Sequence, residues 1–387
     1  MMEKLVEAVR QSFEKKFQRK PLLLASPGRI NLIGEHTDYN EGFVLPGATD
    51  RCLVFAVAAR ADRRCRLYSL DFDQDFATDL DHLHRSEWRW PDYLQGVLDQ
   101  FLKAGYNIGG VDIAFGGNVP IGGGMSSSAA VEAGLAFALN HLFDLKLDLL
   151  TLALLAQKAE NEFVGLRCGI MDMYANLHGR PGQVLKIDCR HLVHEYYPFD
   201  RPELRIIISD TGVRRELASS EYNVRRHQCE QGVRILQKYY PGLKSLRDVS
   251  LEMLQEHRAE FDPVVWKRCA YVVRENNRVE LACQDLLRHD FNSFGLRMQE
   301  SHLGLRDEYE VSSPELNLLV EAASAVPGVL GSRMMGAGFG GCTISLVEAA
   351  AVEEFQARVS AAYRQETGLA PAIHVVRVEA GTRILEA

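Results

Sequence analysis

The chain has 387 residues, 47% hydrophobic and 25% charged, enough to build a sizeable core of ordinary globular type; at roughly 150 residues per domain it predicts two domains. Lys plus Arg total 44 and Asp plus Glu 52, for a formal net charge of −8, and no block of like sign occurs. That excludes the concentrated cations of a nucleic-acid-coating or polybasic membrane-binding surface.

The opening MMEKLVEAVRQSFEKKFQRK sets apolar residues at helical spacing among charges, which predicts a helix and not a signal peptide. PLLLASPGRINLIGEH reads as a strand running into a polar loop, and residues 53–59 as a strand buried on both faces. Residues 62–92 mix charge, turn residues and aromatics, and predict short strands and loops. VDIAF at 111–115 predicts a strand leading into GGNVPIGGGMSSSAAVEAGLAFALNHLF. Glycines and Pro120 forbid a helix there before about residue 125, and alanines and leucines favour one from Ser128. A further helix is expected over about 149–163, ending near Gly165. Strands follow at 183–188 and 204–210, then mostly helix over about 214–325, then strands at GVLGSRMM, CTISLV and HVVRVEA. No apolar run approaches the roughly 18 residues of a membrane span. The eight cysteines show no CxxC pair and no zinc spacing, so free, mostly buried thiols in a reducing cytoplasm are expected.

Three segments concentrate chemistry. In ASPGRINLIGEHTDYNEGFVLP (25–46), Arg29, Glu35, His36, Asp38 and Tyr39 crowd one loop. Composition alone would allow a charged surface turn, but Glu, His and Asp within four positions can grip several hydroxyls of a polyol. In PIGGGMSSSAA (120–130), glycines let backbone N–H groups converge on an anion, and the helix start behind them adds a partial positive charge worth up to about 1 kcal/mol. It is a phosphate cradle without the Walker A lysine, and it lacks the closing glycine of a nucleophile elbow. A serine-capped turn before a core helix is the structural alternative. In GAGFGGC (336–342), Gly336, Gly338 and Gly341 satisfy GxGxxG, but a strand follows where a dinucleotide fold needs a helix. Such a run implies close backbone approach. A fourth string, CGIMD, carries Asp172, a residue type that near a helix start is more often a cap than a catalyst.

Taken together, GRINLIGEHTDYNEGFVLP, PIGGGMSSSAA and GAGFGGC resemble the three motifs of the GHMP sugar and metabolite kinases, and the first closely resembles the galactokinase signature. CGIMD, LASSEYNVRRHQCE (217–230) and ESHLGLRDEYEVSSPEL (300–316) extend the likeness over nearly the whole chain. The resemblance implies a two-domain α/β (α+β) GHMP kinase fold. A ribosomal-S5-like domain (1–180) and a ferredoxin-like domain (181–387) would hold the active site between them. It implies ATP-dependent, Mg2+-assisted phosphorylation of the anomeric hydroxyl of D-galactose. By position, Arg29 and Asp172 match the family's catalytic pair, and Glu35, His36, Asp38, Gly169 and Tyr222 its sugar-binding residues. Gly122, Gly123, Gly124, Ser126, Ser127 and Ser128 match its phosphate loop, and Trp90 and Tyr93 of RWPDY the aromatic residues that pack on adenine. Glu160 matches its magnesium carboxylate, with Ser127 or Ser128 as the magnesium hydroxyl.

Phosphoryl transfer asks the protein mainly for positioning and charge stabilisation, so the missing loop lysine gives Arg29 and the metal more weight. An acceptor Asp must be ionised at neutral pH, and an arginine beside a carboxylate favours that form. Met173 stands where the family usually has Gln, Met335 where it often has Thr, and Gly47 where a larger residue or Cys is usual. These departures touch sugar or nucleotide preference, and no charged catalytic group is lost. The rivals are a kinase for N-acetylgalactosamine or L-arabinose, and a non-catalytic galactose sensor. Such sensors lack residues of the SSSAA loop, whereas Ser128, Ala129 and Ala130 are present. The expected partners are D-galactose and ATP, with no nucleic acid and no membrane, for a monomer in the cytoplasm.

Overall fold

The structure, a computed structural model, describes residues 2–213 and 218–385. In chain order, α1 (Met2–Phe17) is followed by β1 (Leu22–Asn31), β2 (Phe43–Val44), β3 (Pro46–Ala59), β4 (Arg64–Ser69) and β5 (Gln74–Asp79). α2 (Arg89–Lys103) precedes β6 (Val111–Gly117), after which come α3 (Ser127–Leu142), α4 (Leu149–Lys158) and α5 (Met171–His178). β7 (Gln183–Asp188), β8 (Val193–Pro198) and β9 (Leu204–Asp210) lead to the helices α6 (Ala218–Leu236), α7 (Leu251–Glu256), α8 (Pro263–Leu287), α9 (Phe291–Asp307) and α10 (Pro314–Ser324). The chain closes with β10 (Val329–Met335), β11 (Cys342–Glu348), α11 (Val352–Thr367), β12 (Ala372–Val376) and β13 (Arg383–Ile384).

A six-stranded sheet runs in the order β13-β1-β3-β6-β4-β5. Its central strands read as unbroken apolar runs because both faces are covered. Val9 and Phe13 of α1 pack on Ala25, Val54, Ala56 and Ala114. The opposite face, with Leu24, Phe55, Val57 and Ile113, points into a core shared with Ala133 of α3, Leu152 of α4 and Leu177 of α5. A four-stranded sheet, β10-β11-β9-β12, shows the alternation of a two-faced strand. Ile207 faces Phe355, Val359 and Tyr363 of α11, whereas Ile206 and Ile208 share a cluster with Phe294 and Met298 of α9. That cluster is continuous with the core of the first sheet. α9 lies on β10 where Gly295 meets Gly331, and a Cβ on Gly295 would strike the Leu330 backbone. The third sheet, β2-β7-β8, pairs Phe43 with Asp188, and β13 returns to β1 through Leu24 and Ile384.

Three segments differ from the sequence reading. Residues 89–103 form α2, although the loop reading ran to 92; Leu94, Val97, Leu98 and Phe101, at i, i+3, i+4 and i+7, give the helix a buried face. The helix expected to 163 is α-helical only to Lys158, and a π-helical turn (Ala159–Val164) carries it to Gly165 at φ +93°. Residues 193–198, unassigned in the sequence, pair with β7 as β8. Residues 214–217, the start of the mostly helical region, lie outside the described residues. No helix among the described residues is long and apolar enough to cross a membrane, and none of the eight cysteines forms a disulfide, with only Cys168 partly exposed.

Candidate active site

The register of β1 on β3 shifts between Pro27 and Arg29, an irregularity of the kind that re-aims a side chain. Arg29, almost fully buried, reaches Asp172 in the first turn of α5, with Nε 2.7 Å from Oδ1 and Nη2 3.0 Å from Oδ2. This is the bidentate fork that arginine makes with a carboxylate. Asp172 is not the helix cap, a position that Ile170 takes. Ser126 donates its hydroxyl to Asp172 Oδ2, and Arg29 Nη1 donates to the Gly124 carbonyl. One guanidinium thus ties the glycine-rich loop to the acid. Ser126 holds φ +57° at the entry to α3, an uncommon conformation for a residue with a Cβ, and such backbone strain clusters at functional sites.

Two cavities meet at this pair. The larger, 520 Å³, is lined by Gly122, Gly124, Ser126, Ser127 and Ser128, by Trp90 and Tyr93 of α2, and by residues 336–341. The smaller, 310 Å³, is lined by Glu35, His36, Asp38, Glu160, Gly169, Asp172 and Tyr222. Arg29 and Ser128 border both. Gly123 lies off the larger cavity's wall, and a Cβ there would meet Pro120 and Asp210. α3 has no side-chain cap, so the positive end of its dipole and its first N–H groups serve the loop cavity. Trp90 donates its indole N–H to Gln74 Oε1 at 2.8 Å and packs beside Phe72, Phe76 and Phe115, which makes one side of the cavity aromatic.

In the smaller cavity, buried Glu35 lies with Oε1 2.8 Å from Arg333 Nη2 and accepts the Gly336 N–H at 2.8 Å. Arg333 is fully buried in β10 and also donates to the carbonyls of Asn31 and Leu32. His36, at φ +64°, has Nδ1 2.7 Å from the Tyr39 hydroxyl and Nε2 3.2 Å from the Ala337 carbonyl. A carbonyl only accepts, so Nε2 carries the proton and Tyr39 donates to Nδ1. Tyr309 lies 2.8 Å behind Tyr39, and the Tyr222 ring packs 5.4 Å from His36. Gly169 leaves room for Asp38, since a Cβ there would collide with its carboxylate.

Family models of the GHMP kinase N-terminal and C-terminal domains match residues 92–180 and 282–365, and the galactokinase galactose-binding signature matches 11–59. A galactokinase of Roseiflexus sp. (strain RS-1) is 42% identical over 96% of this chain and 95% of its own. One of Chloroflexus aggregans is 44% identical over 92% of each chain. The chain belongs to the galactokinase family. Its fold agrees: a crystal structure of Lactococcus lactis galactokinase complexed with galactose superposes with a TM-score of 0.94 at 33% identity, over 98% of this chain and 99% of that one. A mevalonate kinase, at 17% identity and a TM-score of 0.62, shares the fold alone. The galactokinase signature match takes in Arg29, Glu35, His36 and Asp38, while Trp90 and Tyr222 fall outside all three matched segments.

Burial dominates the electrostatics of this galactokinase-family site. It pushes the His36 pKa down to about 3, so the ring is neutral at pH 7. Burial, with the charge of Asp172 adding, pushes Asp38 up to about 7. Glu160 also reaches about 7 through burial, against a hydrogen bond from the Cys168 thiol. The folded chain therefore holds protons on these carboxylates that the unfolded chain releases at ordinary carboxylate pKa values. These two carboxylates accordingly contribute stability that is lost as pH rises from about 4 to about 7, whereas His36, kept neutral by burial, contributes in the opposite direction below about pH 6.5. Replacing Asp38 with Asn removes one such contribution, so between about pH 5 and pH 8 urea unfolding should show the variant losing less stability, or gaining more, than the parent. An identical change in both would contradict the buried placement of Asp38.

Sequence reasoning missed the residues that hold the signature loop from behind. Besides Arg333, Glu275 of α8 accepts the Gly34 N–H at 2.9 Å, and Tyr309 backs the His36–Tyr39 pair. The readable signal was a lone charge inside an apolar strand, the Arg of GVLGSRMM, because a buried charge requires a partner.

Proposed function

We propose that this chain transfers the γ-phosphoryl group of ATP to the anomeric hydroxyl of D-galactose, giving galactose 1-phosphate and ADP. The observation that carries this reading is the Arg29–Asp172 pair at the junction of a glycine-lined and an acid-lined cavity. ATP, the phosphoryl donor of the GHMP kinases, lays its adenine against Trp90 and Tyr93 and its phosphates along Gly122, Gly124 and Ser126 to Ser128. Galactose occupies the second cavity, where Asp38 and Tyr222 meet its hydroxyls and Glu35 and His36 are held from behind.

The sugar oxygen bonds to the γ-phosphorus as its proton passes to Asp172, and the bond to the β-phosphate oxygen breaks with its electron pair leaving on ADP. Arg29 orients Asp172 and faces the charge that builds on the phosphoryl oxygens. Ser128 and Glu160 fit Mg2+, because a hydroxyl that borders both cavities and a carboxylate on the wall of the second are the hard oxygen donors that this ion takes alongside phosphate. Bound there, the ion supplies positive charge to the triphosphate.

ADP release from Mg-ATP, assayed with D-galactose, N-acetylgalactosamine, L-arabinose and D-glucose in turn, tests the reading. Turnover confined to galactose is expected. Turnover with another sugar reassigns the pocket, and binding without turnover on any of them refutes the kinase.

A further inference from the structure

α3 carries Ser128 and, one turn later on the same face, Glu132. Glu132 is fully buried, and neither carboxylate oxygen has a hydrogen-bond partner among the described residues. Burying a carboxylate without a partner is costly, and native structures seldom leave one so. Burial raises its pKa well above the carboxylate range, with the charges of Glu160 and Asp172 adding to it. A helical side chain leans toward the preceding turn, so Glu132 reaches back behind Ser128, which lines the same cavity as Glu160.

We propose that Glu132 is a further carboxylate of the cation site formed by Ser128 and Glu160, an inference that rests on the Mg2+ reading of those two residues. No three His, Cys, Asp or Glu side chains among the described residues are grouped to hold an ion unaided. A cation here thus takes two carboxylates and a hydroxyl from the protein and the rest from phosphate and water, the usual pattern for magnesium. The ion answers the missing partner of Glu132, and Glu132 in turn holds the ion against α3.

The test is Mn2+ binding to the full-length protein with ADP, followed by electron paramagnetic resonance, for the parent, Glu160→Gln and Glu132→Gln. Both variants should bind Mn2+ about 10- to 100-fold more weakly than the parent. Added Mn2+ with ADP should raise the melting temperature of Glu132→Gln less than that of the parent. Glu132→Gln binding Mn2+ as tightly as the parent, with Glu160→Gln weakened, would overturn the role of Glu132 alone. A parent that with ADP holds no more Mn2+ than ADP alone would overturn the Ser128–Glu160 site and this inference with it. Should Glu132→Gln fail to fold, Glu132→Asp, which keeps the charge and withdraws it by one methylene, should show the same weakening, and parent-like binding by it would overturn the proposal.

Discussion

Replacing Asp172 with Asn should lower kcat by about 10²- to 10⁴-fold, the range that a positioned proton acceptor contributes, while the variant folds and binds ATP as the parent does. At 1.36 kcal/mol per tenfold, that is about 3 to 5 kcal/mol in the barrier. Asn keeps the size of the side chain and removes the charge that accepts the sugar proton. Arg29 retains its bond to the Gly124 carbonyl, so the loop should stay in place. Steady-state kinetics with galactose, beside circular dichroism and nucleotide binding, separates the outcomes. Lost kcat with unchanged nucleotide affinity places Asp172 in the chemical step, and a fully active variant removes it from the mechanism.

Arg333→Met should be the most damaging change outside the two cavities. Arg333 is fully buried and faces Glu35 at 2.8 Å. Its charge also helps hold the pKa of buried Glu275 below the ordinary range, against burial and alongside Arg278. Methionine fills much of the space but leaves Glu35 without its principal counter-charge, and breaking a buried pair from one side costs about 3 to 5 kcal/mol. Chemical denaturation should show that loss, and the double variant with Glu35→Gln should recover part of it, because the orphaned charge is gone. A single variant within about 1 kcal/mol of the parent would contradict the ion pair as the anchor of the signature loop.

The parts of the site legible in the sequence were those carried on short contiguous strings. Arg29, Glu35, His36 and Asp38 lie within ten positions, and the glycines and serines of the loop within seven. The strands at 53–59, 111–115 and 204–210 were legible for a related reason: a strand covered on both faces is apolar along its whole length. What was not legible depends on partners far away in the chain. β8, with His194 beside Glu195 and Tyr196 beside Tyr197, shows no alternation of polar and apolar residues and exists because β7 offers its edge, and the two residues of β13 form a strand only against Leu24 and Ala25. α2 did announce itself through its apolar spacing, but the charged and aromatic segment before it drew the reading toward loops. The π-helical turn at Ala159–Val164, which carries Glu160, has no sequence signature that separates it from ordinary helix. Arg333 and Glu132 needed three dimensions, since only packing shows that the first has a partner and that the second has no hydrogen-bond partner among the described residues.

Where the phosphoryl group lands decides whether the hydroxyl beside Asp172 is the anomeric one of galactose. Phosphorus NMR of the product made from D-galactose and Mg-ATP by the purified protein answers this directly. A new phosphate resonance split by the anomeric proton, growing in step with ADP, is the predicted result. Phosphate on any other hydroxyl, or ADP formed with inorganic phosphate alone, would contradict it.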